Sequence, residues 1–180
     1  MSDHSISIVP RKSTYPDRQQ KAKEILDWLV FHDIVQLTPS DCVLSSNSGY
    51  ALSMGAKTVT TNPDLLPFDL TTNGLEIITE RQVFDTGENG LEKIICPNCR
   101  QDISSKDWDF LNEWSENISN NISCPLCNTA TDIHIFAFTP QWGFSDLGFT
   151  FWNWGEFTDQ FIRDFKQKLN CDADVVLTWV

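Results

Sequence analysis

Two Cys-Pro-x-Cys turns, Cys96-Pro97-Asn98-Cys99 and Cys124-Pro125-Leu126-Cys127, constrain this chain more than any other feature. A CxxC turn sets two thiolates side by side, and two such turns supply the four soft donors of a tetrahedral ion. Each proline stiffens its turn. Arg100 and Asn128 follow at the positions where such knuckles usually carry Gly, and Asn tolerates left-handed backbone better than Arg. The 24 residues between the pairs exceed the usual spacing slightly. Their content accounts for the excess: Ser104-Ser105-Lys106-Asp107 reads as an N-cap, followed by Trp108, Leu111 and Trp114 near one helical face. The expectation is a zinc ribbon over 91–139, with Cys96, Cys99, Cys124 and Cys127 holding one structural Zn²⁺. A rubredoxin-type iron site uses the same ligands, and zinc is the expected occupant. A disulfide pair is disfavoured in a reducing compartment, and a thioredoxin-type pair needs a single CxxC at a helix start. Four thiolates fill a tetrahedral shell, whereas a catalytic zinc keeps a position open.

The flanking sequence repeats a pattern. Ser5 to Val9 alternates as a strand, and Pro16 opens a helix to about residue 33 with Ala22, Ile25, Leu26, Leu29 and Asp33 on one face. Leu75 to Phe84 reads as one strand ending in the turn Asp85–Gly90. After the knuckles, Phe149-Thr150-Phe151-Trp152 alternates. Phe157, Phe161, Phe165 and Leu169 then recur at helical spacing up to Asn170, and Asp174 to Trp179 closes the chain as a strand. The order β-α-β, ribbon, β-α-β predicts a single α+β domain over 1–180: a ferredoxin-like antiparallel sheet (βαβ–βαβ) with an inserted zinc ribbon. Residues 38–72 fit no element beyond a strand pair around Tyr50 and Val59.

Several stretches are familiar together: DCVLSSNSGYALSMGA (41–56), NGLEIITERQVFDTGENGLEKIICPNC (73–99) and LGFTFWNW (147–154). They resemble a family of small, largely uncharacterised proteobacterial proteins with two Cys knuckles, some of them labelled as ATPases of sugar ABC transporters. The resemblance implies no catalytic residue. The ATPase label fails on the residues, because no G-x-x-x-x-G-K-[ST] loop exists to grip phosphates.

The chain carries a formal net charge of -12. Nine acids in 32–92, including Glu76, Glu80, Asp85 and Glu88, stand against Lys57 and Arg81 alone. That balance repels phosphate backbones and argues against nucleic-acid binding; Arg100 and Lys106 are the only basic residues among the 24 between the knuckles. No signal peptide or membrane-spanning run is evident, so the expected setting is the cytoplasm, with no membrane partner.

No residue volunteers for catalysis. His4 is assigned to a frayed terminus, His32 to a helix end, and His134 to the outward side of a strand or to hydrogen bonding with the zinc thiolates. Cys42 and Cys171 read as buried apolar residues. Gly143–Gly148 approximates a nucleophile elbow with one residue too many. The remaining signal is aromatic: Phe149 and Phe151 share one strand face while Trp152 and Trp154 share the other. Either the ribbon covers that second face or it stays open as an anchor surface. The leading expectation is a non-enzymatic protein–protein interaction module, an acidic immunity or inhibitor protein for a basic partner, whose surface includes Glu76, Glu80, Asp85, Glu88, Trp152 and Trp154. The alternative is a small-molecule enzyme or ligand-binding protein with an aromatic pocket near Trp152 and Trp154.

Overall fold

Alternation in the terminal strands decides the first layer. The computed structural model describes residues 2–180. It contains, in chain order, β1 (His4–Pro10), α1 (Arg18–Phe31), β2 (Leu75–Ile78), β3 (Gln82–Phe84), β4 (Lys93–Ile95), α2 (Asp109–Ser115), β5 (Asn121–Ser123), β6 (Ala130–Asp132), β7 (Ala137–Thr139), β8 (Gly143–Ser145), β9 (Gly148–Trp152), α3 (Asp159–Leu169) and β10 (Ala173–Trp179). Strands β10-β1-β9-β2 form one antiparallel sheet in that order. Register sorts its side chains into two faces. Leu75, Phe151, Ile6 and Leu177 make one row, and Ile77, Phe149, Ile8 and Val175 the next on the same side. Glu76, Thr150, Ser7 and Val176 line the reverse.

Both long helices cover the apolar rows. Ala22, Ile25 and Leu29 of α1 and Phe161, Phe165 and Leu169 of α3 are buried in one cluster with Ile6, Ile8, Leu75, Phe149 and Phe151. Trp28 stacks on Phe161 at 5.8 Å between ring centroids, which joins the helices side by side. Thr158 caps α3 by accepting the Phe161 N–H, and Asn170 ends it in left-handed conformation at φ 54°. The start of α1 differs from the sequence expectation. Asp17 is left-handed at φ 53°, so Pro16 lies outside the helix, which begins at Arg18.

The reverse face is met by a second layer. The β3–β8 pair lies against it so closely that a Cβ at Gly148 would come within 2.2 Å of the Phe84 ring, and one at Gly143 within 2.9 Å of Val9. This layer overturns the single strand expected over Leu75–Phe84: the chain pairs with β9 up to Ile78, then leaves the sheet and pairs with β8 from Gln82. Arg81, at that crossing, lies 4.0 Å from the Trp114 ring centroid and donates to the Trp114 carbonyl. Trp114 in turn donates its indole N–H to Ser13 Oγ at 2.9 Å. These contacts hold the two-knuckle segment to the sheet. That segment has its own core of Ile94, Ile103, Trp114, Ile122, Ile133, Phe136, Phe138, Trp142 and Phe144.

Residues 38–72 contain no strand. They hold two 3₁₀ turns, Met54–Thr58 and Pro63–Leu65, and isolated bridges of Ser40 with Gly49, Tyr50 with Leu75 and Thr60 with Phe157. Tyr50 therefore pairs with β2 and not with Val59. No helix among the described residues is long and apolar enough to cross a membrane.

Candidate metal centre and a polar niche

Each Cys pair sits at the tip of a hairpin, and the two tips repeat one hydrogen-bond pattern. At the first, Cys96 N–H donates to Gln101 O and Arg100 N–H to Cys96 O, both at 3.0 Å. At the second, Cys124 N–H donates to Thr129 O at 3.1 Å and Asn128 N–H to Cys124 O at 2.8 Å. The fifth residue of each turn must then be left-handed, and Arg100 and Asn128 have φ 62° and 58°. The turns face each other. All four Sγ atoms lie within 4.8 Å of one another, with Cys96–Cys127 at 3.9 Å and Cys99–Cys124 at 3.7 Å. These separations are far beyond the roughly 2.05 Å of a disulfide.

The cluster is electrostatically uneven. Thr129, through side chain and backbone, holds the Cys127 thiol down at about 6. The Gln101 N–H also favours a Cys99 thiolate, yet burial and the three neighbouring sulfurs push that thiol up to about 11. Burial pushes Cys96 up, but N–H groups of Cys99 and Asn98 and the adjacent thiols bring it below its usual value. Four sulfurs this close repel as thiolates unless a cation replaces the protons, so the cluster is compatible with a metal ion.

His134 is no ligand to it. The residue belongs to a 3₁₀ turn, Ile133–Ile135, and not to a strand. Its Nδ1 meets Asp132 Oδ1 at 2.8 Å and its Nε2 meets the Phe144 carbonyl at 2.7 Å. The ring ties the knuckle segment to β8. The helix within the segment also starts later than expected: Ser104 is no cap, and Trp108 precedes α2 with Asp107 accepting the Asp109 N–H. His4 is not frayed but stands in β1, stacked on Trp179 with ring centroids 4.9 Å apart. Cys42 is buried as expected, whereas Cys171 is only half-buried.

The expected partner surface does not survive as one patch. Glu80, Asp85 and Glu88 are exposed, but Glu76, Trp152 and Trp154 are buried. Trp152 and Trp154 do not share a face. Asn153 is left-handed at φ 61°, which breaks the alternation and turns Trp154 into the helix-side core, where it is fully buried among Phe151 and Phe157. Trp152 stays on the reverse face, covered by Cys42 and Val43 and not by the knuckle segment.

Two features escaped the sequence reading. Beside Trp152 is a cavity of about 160 Å³ whose lining includes Ser5, Ser7, Glu76, Asp85 and Thr150. Its signal was the serines alternating with isoleucines in β1, polar residues on a strand buried on both sides. Between α1 and α3 runs a groove of about 1150 Å³, walled by Trp28, Phe31 and Phe161 with Glu24, Asp27 and Asp164 among its charged residues. Phe31 is 83% exposed. Its signal was an aromatic one turn beyond Trp28, off the buried face.

No protein-family model matches the chain, and neither a curated protein nor a solved structure matches it.

Proposed function

We propose that the chain is a non-enzymatic zinc-ribbon protein that serves, in a reducing compartment such as the cytoplasm, as an interaction module for a basic protein partner. The zinc assignment rests on the donor set and its spacing. Sulfur ligands at about 2.3 Å around a tetrahedral zinc stand about 3.8 Å apart, close to the 3.7 and 3.9 Å found here. A shell of four thiolates is closed, so the ion supports shape and not turnover. The strand order β10-β1-β9-β2, with α1 and α3 each following the first strand of a half, supports reading the sheet as ferredoxin-like with the ribbon inserted at its midpoint. The two knuckles also fit the resemblance to the proteobacterial two-knuckle family.

The observation that carries the partner reading is the α1–α3 groove. Phe31 and Trp28 offer an aromatic wall, the kind of group that anchors interfaces. Three acids line the same groove with Lys168. Glu24 and Asp27 pair with Lys21 and Lys23, and Asp164 is in no ion pair among the described residues, which favours an apolar segment bearing a basic residue. An immunity or inhibitor role toward a basic toxin is the form of this reading that the net charge of -12 favours.

The test is affinity capture from the native cells with wild type, Phe31→Glu, and a Glu24→Gln/Asp27→Asn/Asp164→Asn variant, at low and high salt. A basic protein held by wild type, lost with Phe31→Glu and weakened by salt supports the reading. Equal capture by all three forms at all salt concentrations would rule the groove out. A second reading, a small-ligand site beside Trp152, is favoured by the polar cavity there.

A further inference from the structure

Glu76 lies on the reverse face of the sheet and is buried, yet no lysine, arginine or histidine of the described chain forms an ion pair with it. Its oxygens are met by neutral donors. Ser45 Oγ donates to Oε1 at 2.6 Å, Asn47 Nδ2 approaches the same oxygen at 3.5 Å, and the Trp152 indole donates to Oε2 at 3.0 Å. A carboxylate offers about four acceptor positions, so this one is not filled. Neutral donors satisfy hydrogen bonding but leave a desolvated negative charge without a counter-charge, an arrangement that is costly unless something completes it.

The cavity next to Glu76 is shaped for that completion. Its lining holds two carboxylates, Glu76 and Asp85, and no basic side chain. Ser5, Ser7 and Thr150 add hydroxyl groups, the last two hydrogen-bonded to each other at 2.8 Å. At about 160 Å³ the space takes a small polar head on a short stem and nothing larger.

We propose that this niche binds an alkylguanidinium group, with Glu76 as its principal acceptor and Asp85 at the exposed rim. The proposal rests on the reading of the cavity as a small-ligand site and names the ligand's chemistry. A guanidinium presents planar paired donors that match a carboxylate, and it is more weakly hydrated than an ammonium, so less is lost on entering a half-enclosed space. The group belongs either to a free small molecule or to an arginine side chain of a protein partner.

The experiment follows backbone amide and indole resonances of the intact, metal-loaded protein by heteronuclear NMR, assigning the Trp152 indole by its loss in Trp152→Phe. Methylguanidinium at low millimolar concentration should shift the Trp152 indole and the amides of Ser7, Glu76 and Thr150 saturably. Glu76→Gln should weaken binding at least about tenfold, the loss of one charged hydrogen-bonded pair. Asp85→Asn, an exposed change that leaves folding unaffected, should weaken it severalfold. A capped arginine that binds as well as methylguanidinium assigns the site to a partner's side chain; one that does not bind assigns it to a free ligand. Urea, the neutral analogue, separates two failures. Shifts by urea equal to those by methylguanidinium leave a ligand cavity but overturn the cation inference. Absence of shifts with either probe overturns both.

Discussion

The Trp152 indole donates to Glu76 Oε2 at 3.0 Å across two strands, joining diagonal neighbours on the buried reverse face of the sheet. Each residue there depends on the other. The indole N–H would otherwise be a buried donor without a partner, and the carboxylate would lose one of its few donors.

Trp152→Phe should therefore cost more than its lost area. Leaving a buried charged acceptor short of a donor is worth about 1–3 kcal/mol, and the double change with Glu76→Gln should show a coupling of about 1 kcal/mol. Urea unfolding of the four proteins in the cycle measures it. Strictly additive effects would mean that the hydrogen bond contributes nothing beyond packing.

The cysteine cluster and the sheet have separate cores, linked through Arg81, Trp114 and Ser13. Elemental analysis should find one zinc per chain. Chelation, or Cys99→Ser, should abolish hydrogen-exchange protection over residues 94–138, since structural zinc supplies folding free energy of about 10–16 kcal/mol in small modules. Amides of β1, β9 and β10 should keep most of theirs. Zinc removed with no loss of protection in the knuckle segment would refute a structural role for the ion.

The parts of the molecule that were legible in the sequence are those fixed by local pattern. The knuckles carry their turns within five residues, and α3 carries its apolar face and its Asn170 stop in one short stretch. What escaped depends on partners far along the chain. Nothing local marks the departure after Ile78; the contact that holds it, Arg81 on Trp114, spans 33 residues. Trp154 was placed on the wrong face because alternation was carried through Asn153, whose left-handed backbone ends it. Residues 38–72 are positioned by single bridges to β2 and to Phe157, two residues before α3, which no periodicity encodes. The cysteine cluster was thus foreseen residue by residue, whereas the niche at Glu76 required the register of three strands.

Arg100 and Asn128 occupy equivalent left-handed positions, but only asparagine has a side chain suited to them. Arg100→Gly should stabilise the protein by about 1 kcal/mol, whereas Asn128→Gly should be close to neutral. Thermal unfolding at fixed zinc concentration compares them. Destabilisation by Arg100→Gly would reveal a contact of the Arg100 side chain that outweighs its backbone strain.

Asp174 gives a pH signature of the reverse face. Burial raises its carboxyl above the usual 3.8, with Arg11, 3.7 Å away, opposing only in part. The folded state thus holds this proton more tightly than the unfolded chain. Stability is penalised as pH rises from 3.8 through the folded value, and below 3.8 the penalty is absent. Asp174→Asn removes the penalty at the loss of a weak ion pair with a partly exposed arginine. The variant should exceed wild type in stability at neutral pH, and the gap should close on acidification toward pH 3.8. Paired urea titrations across that range measure the gap directly, and any acid release of metal cancels in the difference. A gap independent of pH would show that Asp174 titrates alike in both states and that its burial is offset within the fold.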